Sequence, residues 1–206
     1  MEWPPESFSI LVVCDGNVCR SPSAQFELQG RLPGARVESA GMHAVAGASF
    51  CEAAASQIDG EGEQAVSARF AQDFRSRKLR EVDVAGFDMV LAATTELRSG
   101  LARAHPELRD RFFTLVEAAE VMAELLELEA PDEPITASEL IALMNGYRGA
   151  PHTLERLPAR LRLKVIDPLD IPDAHGERRK RHNAVIGYAR ESAAAIGDSL
   201  ARLTIK

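Results

Sequence analysis

The chain has 206 residues, a length typical of one domain with room for an insertion. Its hydrophobic fraction of 46% and charged fraction of 27% exclude a disordered, collagenous or coiled-coil protein. The net charge of −7 argues against binding of nucleic acid or anionic lipid through a basic face. No apolar run reaches the ~18 residues of a membrane span, and the first residues lack the features of a secretory signal. Three cysteines, an odd number, favour the reducing cytoplasm as the compartment.

The chain opens with a predicted strand, tight loop and helix. Residues 8–13 form a short apolar run rich in β-branched side chains, which stops at the sequence CDGN (14–17) and predicts a buried strand entering a turn. Ser21 and Pro22 then predict a helix N-cap and the first helical position. Apolar residues continue at helical spacing until 33–34 (Pro-Gly), where the helix is expected to end. This order of elements is the first half of a βαβ unit.

Strands and helices alternate through the rest of the chain. A weaker strand at residues 36–39 precedes an Ala- and Ser-rich stretch, 44–78, that has helical spacing without clear boundaries. The further predicted elements are strands at 87–92 and 111–115, a helix from about Thr95, and a final helix with an apolar stripe from Val185 to Leu203. This alternation predicts an α/β protein whose parallel sheet is covered by helices on both faces.

Two segments of the second half are interpreted as irregular. Residues 126–162 contain four prolines and are expected to form an elaborated connection that carries a short helix. Capping-box spacing occurs at 114–117 and at 136–139, and each pair precedes apolar residues at helical intervals. Residues 166–176 (IDPLDIPDAHG) are rich in proline and aspartate, which predicts a loop before the final helix.

The loop sequence CDGNVCRS (14–21) carries the candidate chemistry. Successive backbone N–H groups in such a loop, together with the positive end of the following helix, bind an oxyanion. Arg20 can donate to two oxygens of a phosphate-like anion at once. The same positive field stabilises Cys14 as a thiolate, a nucleophile suited to in-line attack on phosphorus, and Ser21 can hydrogen-bond the sulfur. The alternative interpretation is a buried cysteine at a strand end and an arginine at the surface.

The segment ILVVCDGNVCRSPSAQ (10–25) resembles the signature sequence of the low-molecular-weight protein tyrosine phosphatase family. Four later segments resemble the second-strand motif, the third strand, the fourth strand with its helix, and the acid loop of that family: 38–41, 87–98, 112–122 and 170–176. The resemblance covers most of the chain outside residues 126–162. It implies one domain over residues 1–206, with a three-layer α/β/α fold and a four-stranded parallel sheet in the order 2-1-3-4.

The resemblance also implies roles for the loop residues. Cys14 would attack phosphorus and carry a thiophosphate intermediate, Arg20 would clamp the phosphate, and Asn17 and Ser21 would hold the loop and assist the leaving thiolate. The implied phosphate-binding residues are Asp15, Gly16, Asn17, Val18, Cys19, Arg20 and Ser21. Cys19 would also form a reversible disulfide that shields Cys14 from over-oxidation; the alternative is a small buried residue at the helix start.

A phosphatase of this kind needs a carboxylic acid that protonates the leaving oxygen and then activates water. Asp173 lies directly before the final helix, where the family places its acid, and is the preferred candidate. Asp167 is the rival because it is followed by proline, as in the family's acid loop. Whichever of the two aspartates is not the acid is expected to be a turn former or a helix cap.

The sequence departs from the family pattern at several positions. Ala174 and His175 replace the proline and aromatic residue that usually follow the acid, and Met42 and His43 follow the second-strand motif where threonine is usual. These departures favour a narrower or more polar substrate slot. Val18 is typical of the tyrosine-specific members, because members that act on phosphoarginine carry threonine there.

The main prediction is therefore a cysteine-dependent phosphomonoesterase that acts on a phosphorylated protein, such as a tyrosine kinase of polysaccharide export. The alternatives are a phosphate-binding module with weak or no turnover, a phosphoarginine phosphatase, and an arsenate reductase of the same fold. Arsenate reductases need further cysteines near the third strand, whereas Cys51 is expected to be a small packed side chain. No cofactor is implied, and no His-x-x-x-His or Cys-x-x-Cys pairing predicts a metal site.

Overall fold

A four-stranded parallel sheet forms the centre of the protein. The computed structural model describes residues 8–58, 64–128, 133–149 and 167–203. Its strands are β1 (Ser9–Cys14), β2 (Arg36–Gly41), β3 (Met89–Ala92) and β4 (Phe112–Thr114), and they lie in the order β2-β1-β3-β4. All three strand pairs are parallel, so the predicted sheet order 2-1-3-4 is confirmed.

The apolar run of β1 occupies the middle of this sheet because both of its faces are covered. The side chains from Ile10 to Val13 are fully buried, as expected for a strand inside a parallel sheet. In the register, Cys14 lies opposite Gly41 of β2, and Val13 lies opposite Ala92 of β3. The loop after β1 therefore leaves the sheet at its carboxyl edge, between the ends of two neighbouring strands.

Seven α-helices occur in the described residues and form the outer layers. They are α1 (Arg20–Arg31), α2 (Glu52–Ile58), α3 (Gln64–Asp73), α4 (Thr95–Ala104), α5 (Leu115–Leu128), α6 (Ala137–Gly146) and α7 (Arg179–Arg202). Helices α1, α5 and α7 pack together on one face of the sheet, and α4 packs against β3 and β4 on the other face. The three-layer α/β/α architecture is confirmed.

The start of α1 differs from the prediction. Ser21 was expected at the N-cap, but the helix begins at Arg20 with Cys19 at the N-cap, so Ser21 lies in the first turn. The Ser21 hydroxyl donates to the sulfur of Cys14, at an Oγ–Sγ distance of 3.0 Å, as the sequence also predicts. The hydroxyl of Ser21 therefore binds the Cys14 sulfur and does not cap the helix.

Other boundaries shift without changing the topology. Strand β2 extends to Gly41 and β3 begins at Met89, while the stretch 44–78 contains the two separate helices α2 and α3. Both capping boxes form: Glu117 and Thr114 exchange backbone-to-side-chain hydrogen bonds at the start of α5, and an equivalent pair opens α6. Helix α6 is the short helix expected within 126–162; residues 129–132 and 150–166 lie outside the described part of the chain. Within that part, no helix has the length and apolar character of a membrane span.

Candidate active site

The predicted phosphate loop joins the end of β1 to the start of α1. Cys14 is the last residue of the strand and is 2% exposed, and Arg20 is the first residue of the helix and is also buried. The carboxyl edge of a parallel sheet is the usual place for a ligand site, because loops and helix N-termini meet there. The fold therefore brings the cysteine and the arginine of the motif to opposite ends of one short loop.

Two hydrogen-bond donors point at the sulfur of Cys14. The backbone N–H of Asn17 lies 3.2 Å from Sγ, and the hydroxyl of Ser21 lies 3.0 Å from it. Hydrogen bonds donated to a sulfur are stronger when the sulfur carries negative charge. The loop therefore holds the sulfur of Cys14 at its base between two donors.

Asn17 holds the loop in this conformation. Its backbone has a φ of 51°, in the left-handed region that asparagine tolerates better than most residues. The buried side chain donates from Nδ2 to Ser21 Oγ (3.0 Å) and to Ser39 Oγ (2.8 Å), and its Oδ1 accepts from the backbone N–H of Arg77 (2.8 Å). Every hydrogen-bonding atom of the amide therefore has a partner, which fixes the turn of the loop.

The end of β2 supports the loop from the side. A Cβ atom added to Gly41 would lie 2.6 Å from the Asp15 carbonyl oxygen and 2.8 Å from the Asn17 nitrogen, so a side chain has no room there. The next two residues donate backbone hydrogen bonds to the loop, from Met42 to the Cys14 carbonyl (3.0 Å) and from His43 to the Asp15 carbonyl (2.9 Å). Strand β2 thus acts as a template for the loop backbone.

The remaining loop residues form the accessible side of the site. Asp15, Gly16 and Val18 are each partly exposed. The carboxylate of Asp15 pairs with the exposed ring of His43, at an Oδ1–Nδ1 distance of 2.7 Å. The Asp15–His43 pair and the partly exposed side chain of Val18 therefore lie on the side of the loop that solvent reaches.

Arg20 connects the loop to the segment before α7. Its NH1 donates to the Ile171 carbonyl (3.1 Å), and its NH2 pairs with the carboxylate of Asp173 (2.6 Å), which is 51% exposed. Asp167, in contrast, accepts from the backbone N–H of Leu169 (2.9 Å), which is the contact of a turn former. Of the two candidate acids, Asp173 is the one that contacts the arginine of the loop.

The acid loop (residues 167–176) is fastened to the sheet through two residues that the sequence analysis did not single out. The Asp170 carboxylate accepts from the backbone N–H of Thr95 (2.7 Å) and from its hydroxyl (3.0 Å), at the start of α4. The backbone N–H of Ile171 donates to the Ala93 carbonyl (2.8 Å), just beyond β3. These bonds hold the loop over the end of β3, next to the end of β1.

Behind the loop lies a second group of reactive side chains, here named the rear cluster: Cys19, Cys51, His175 and His182. The Cys19 sulfur lies 3.2 Å from His175 Nδ1 and 3.3 Å from His182 Nε2. The Cys51 sulfur lies 3.6 Å from the same Nε2. Cys51 is therefore not merely a packed small side chain, because its sulfur faces polar atoms of the cluster.

The two sulfurs of the rear cluster also affect each other. The hydrogen bond from Cys19 lowers the pKa of Cys51 to about 5, whereas the same interaction and burial raise the pKa of Cys19. None of the three cysteines forms a disulfide in the structure, so the disulfide between Cys14 and Cys19 stays a prediction.

Comparison with known proteins places this geometry in context. Residues 9–144 match the family described as low molecular weight phosphotyrosine protein phosphatase. The Escherichia coli protein-tyrosine-phosphatase Etp is 37% identical over 103 residues, which are 50% of this chain and 66% of Etp. The protein-arginine-phosphatase of Geobacillus stearothermophilus is 34% identical over 109 residues, 52% of this chain and 69% of that protein. This chain thus spans about two thirds of these relatives.

A solved structure gives the same fold over nearly the whole chain. The tyrosine phosphatase AmsI of Erwinia amylovora superposes with a TM-score of 0.59 at 20% identity, covering 96% of both chains. At this identity the superposition concerns the fold alone. The family match over residues 9–144 and the shared fold agree with the resemblance of the loop and strand motifs.

Proposed function

Because the chain belongs to the low molecular weight phosphotyrosine protein phosphatase family, we propose that it hydrolyses phosphotyrosine in proteins. The observation that carries this proposal is the loop itself. The Cys14 sulfur receives two hydrogen bonds, and Arg20 lies at the other end of the same turn with Asp173 paired to it. A nucleophile, an anion clamp and a carboxyl group are the three parts that phosphomonoester hydrolysis requires.

Binding of the substrate uses the loop amides and Arg20. A guanidinium carries five N–H groups, so Arg20 can keep its bond to the Ile171 carbonyl and still donate to two phosphate oxygens. The N-terminal end of α1 adds a positive dipole at the same point. These groups neutralise the phosphate as charge develops on its equatorial oxygens.

The first chemical step transfers the phosphoryl group to Cys14. The thiolate attacks phosphorus in line, a sulfur–phosphorus bond forms, and the bond from phosphorus to the tyrosine oxygen breaks. Asp173, as a carboxylic acid, gives its proton to the departing phenolate oxygen. The products of this step are free tyrosine on the protein and a thiophosphate on the enzyme.

The second step returns the enzyme to its starting state. Asp173, now a carboxylate, removes a proton from a water molecule that attacks phosphorus, and inorganic phosphate leaves as the sulfur–phosphorus bond breaks. The hydroxyl of Ser21 stabilises the departing thiolate, since it lies 3.0 Å from the sulfur. Asn17 contributes by orienting that hydroxyl through its own hydrogen bond.

The proposed substrate is a cytoplasmic phosphorylated protein, with a tyrosine kinase of polysaccharide export as the specific partner. Both Etp and Wzb of Escherichia coli, two of the relatives, are protein-tyrosine-phosphatases. The aliphatic Val18 at the entrance supports phosphotyrosine over phosphoarginine, the substrate class of the Geobacillus relative. The proposal also treats residues 1–206 as one domain.

The proposal is tested by assaying the chain and its Cys14→Ser variant with a phosphotyrosine peptide, a phosphoarginine peptide and arsenate. We expect phosphate release from the phosphotyrosine peptide by the unmodified chain alone. A rate equal to that of Cys14→Ser would show a binding module rather than an enzyme. A preference for phosphoarginine would overturn the substrate class while keeping the chemistry.

The role of Asp173 is tested with Asp173→Asn and, as the matched control, Asp167→Asn. For phenyl phosphate, whose leaving oxygen needs a proton, we expect kcat/KM to fall on the order of 10²–10⁴-fold in Asp173→Asn. For p-nitrophenyl phosphate the loss should be much smaller, because p-nitrophenolate is a stable anion. Asp167→Asn should stay within about threefold of the unmodified chain for both substrates. A larger and leaving-group-dependent loss in Asp167→Asn would reverse the assignment.

A further inference from the structure

The rear cluster brings together residues from four separate parts of the fold. Cys19 lies at the start of α1, Cys51 immediately precedes α2, His175 belongs to the acid loop, and His182 lies in the first turn of α7. One ligand-type atom from each residue, Sγ or a ring nitrogen, lies within 4.8 Å of each of the other three. The proposed hydrolysis uses none of these four side chains as a reacting group.

The distances within the rear cluster match those of a tetrahedral metal site. Zinc binds sulfur at about 2.3 Å and imidazole nitrogen at about 2.0–2.1 Å, so neighbouring ligand atoms around a tetrahedral zinc are roughly 3.3–3.8 Å apart. Three of the four sulfur–nitrogen distances are 3.2, 3.3 and 3.6 Å, and all other pairs of ligand atoms lie within 4.8 Å. The four atoms must therefore move by at most about an ångström relative to one another to surround one ion.

The chemistry of the four groups favours a metal over a network of hydrogen bonds. Cysteine sulfur hydrogen-bonds weakly, so two cysteine side chains facing two imidazoles form a poor hydrogen-bond network. The same set, two soft sulfurs and two imidazole nitrogens, is a preferred ligand set of zinc. Two thiolates and one Zn²⁺ sum to zero charge, so such a site adds no net charge beside a loop that binds an anion.

The surroundings suit a closed site with one accessible side. Cys19 and His182 are buried, at 5% and 8% exposure, and Cys51 is half-buried, while His175 is exposed. Apolar side chains enclose the inner side of the cluster: Phe50, Ala54, Ile58 and Ile186. An ion can therefore reach the cluster from the His175 side and be shielded from water on the other.

From this geometry we propose that Cys19, Cys51, His175 and His182 bind one zinc ion in a four-coordinate structural site. This goes beyond the proposed hydrolysis and does not rest on it. His175 is two residues from Asp173, and its backbone N–H donates to the Asp173 carboxylate (2.8 Å). Zinc would thus fasten the acid loop to α1, α2 and α7, and it would keep Cys19 from forming a disulfide with Cys14.

The first test measures metal binding without reference to turnover. The full chain is used without an affinity tag and with its thiols reduced. It is stripped of metal and titrated with Co²⁺, whose absorption spectrum depends on the number and type of its ligands. We expect one Co²⁺ per chain, with visible bands of tetrahedral coordination and a sulfur-to-cobalt charge-transfer band in the near ultraviolet. Displacement by one equivalent of Zn²⁺ should remove both signals. Absence of the charge-transfer band would overturn the proposal.

The second test locates the ion with His175→Gln, Cys51→Ser and the control His105→Gln, whose histidine lies at the end of α4. His175 is on an exposed loop, so its replacement should leave the fold intact. The zinc affinity of His175→Gln, measured by competition with a chelating dye, should fall on the order of 100-fold or more. Even the loss of a residue that hydrogen-bonds a metal ligand lowers metal affinity about 10–100-fold. In Cys51→Ser the charge-transfer band should weaken. Unchanged binding in both, or an equal loss in His105→Gln, would overturn the site.

Discussion

The two cysteines of the phosphate loop lie five positions apart and have opposite surroundings. The sulfur of Cys14 receives hydrogen bonds from the Asn17 backbone and the Ser21 hydroxyl. The sulfur of Cys19 lies next to two imidazole nitrogens, and the sulfur of Cys51 is within 4.8 Å of it. On the first side the chain presents hydrogen-bond donors, which suit an anion, and on the second it presents sulfur and imidazole nitrogen atoms, which are ligand types for a cation.

This difference shows that the environment, and not the residue type, decides what a cysteine does. Around Cys14 the donors are fixed by the satisfied side chain of Asn17 and by the close approach of Gly41. Around Cys19 the ligand atoms come from side chains on independent segments, so they can adjust to an ion. The phosphate loop thus contributes one cysteine to a rigid site and the other to a cluster whose remaining members lie on separate segments.

The largest expected effect is on phosphatase activity, and it distinguishes the Cys14 site from the rear cluster. In Cys14→Ser, phosphate release from a phosphotyrosine peptide should fall on the order of 10⁴-fold or more, because the nucleophile is lost. The same variant should bind Co²⁺ as the unmodified chain does. In Cys51→Ser the pattern should be reversed, with turnover kept within about tenfold and metal binding weakened. Loss of Co²⁺ binding in Cys14→Ser would show that the two sides are not separate.

A smaller effect tests the rigidity of the nucleophile side. Asn17→Ala removes three hydrogen bonds, leaves buried partners without them, and puts alanine at a φ of 51°, so we expect about 2–4 kcal/mol less stability in urea unfolding. Asn17→Gly accepts that φ but loses the same bonds. A stability of Asn17→Gly equal to that of the unmodified chain would show that the backbone conformation, and not the amide, holds the loop.

The smallest expected effect is on stability, and it tests the packing of Gly41 in β2 against the phosphate loop. In Gly41→Ala the added methyl meets loop backbone atoms at 2.6–2.8 Å, so we expect a loss of about 1–3 kcal/mol in the free energy of unfolding and a lower kcat/KM. Gly30→Ala, in helix α1, is the matched control because its methyl meets nothing within 4 Å. It should gain about 0.5–1 kcal/mol from helix propensity. Equal stability of the two variants would contradict the close packing at Gly41.

The parts of the fold and site that the sequence predicted are those whose signals are local. The apolar run of β1, the two capping boxes and the motif from Cys14 to Arg20 are each contiguous, so spacing alone identifies them. The preference for Asp173 over Asp167 relied on its position before the last helix, and its contact with Arg20 agrees with that preference. The capping role of Ser21 was wrong because a tertiary contact with Cys14 outweighed a local pattern.

The parts that the sequence did not predict depend on segments meeting in space. The support of Asn17 by Arg77 uses a backbone N–H, which no residue type reveals. The rear cluster contains no two ligands at a recognisable metal spacing, since Cys19 and Cys51 are 32 positions apart and the histidines follow more than a hundred positions later. Its members meet because α1, α2, the acid loop and α7 converge behind the sheet edge, which is a property of the topology.

The two backbone hydrogen bonds of Ile171 bear on which side chains the neighbouring positions can carry. Its N–H donates to the Ala93 carbonyl and its carbonyl accepts from Arg20, so the position of the acid loop at this residue is set by main-chain atoms that every amino acid except proline possesses. Substitutions at Ala174 and His175 therefore alter the chemistry next to Asp173 without moving the anchor. A segment tethered in this way can carry different side chains at positions 174 and 175 while its main chain keeps the same path.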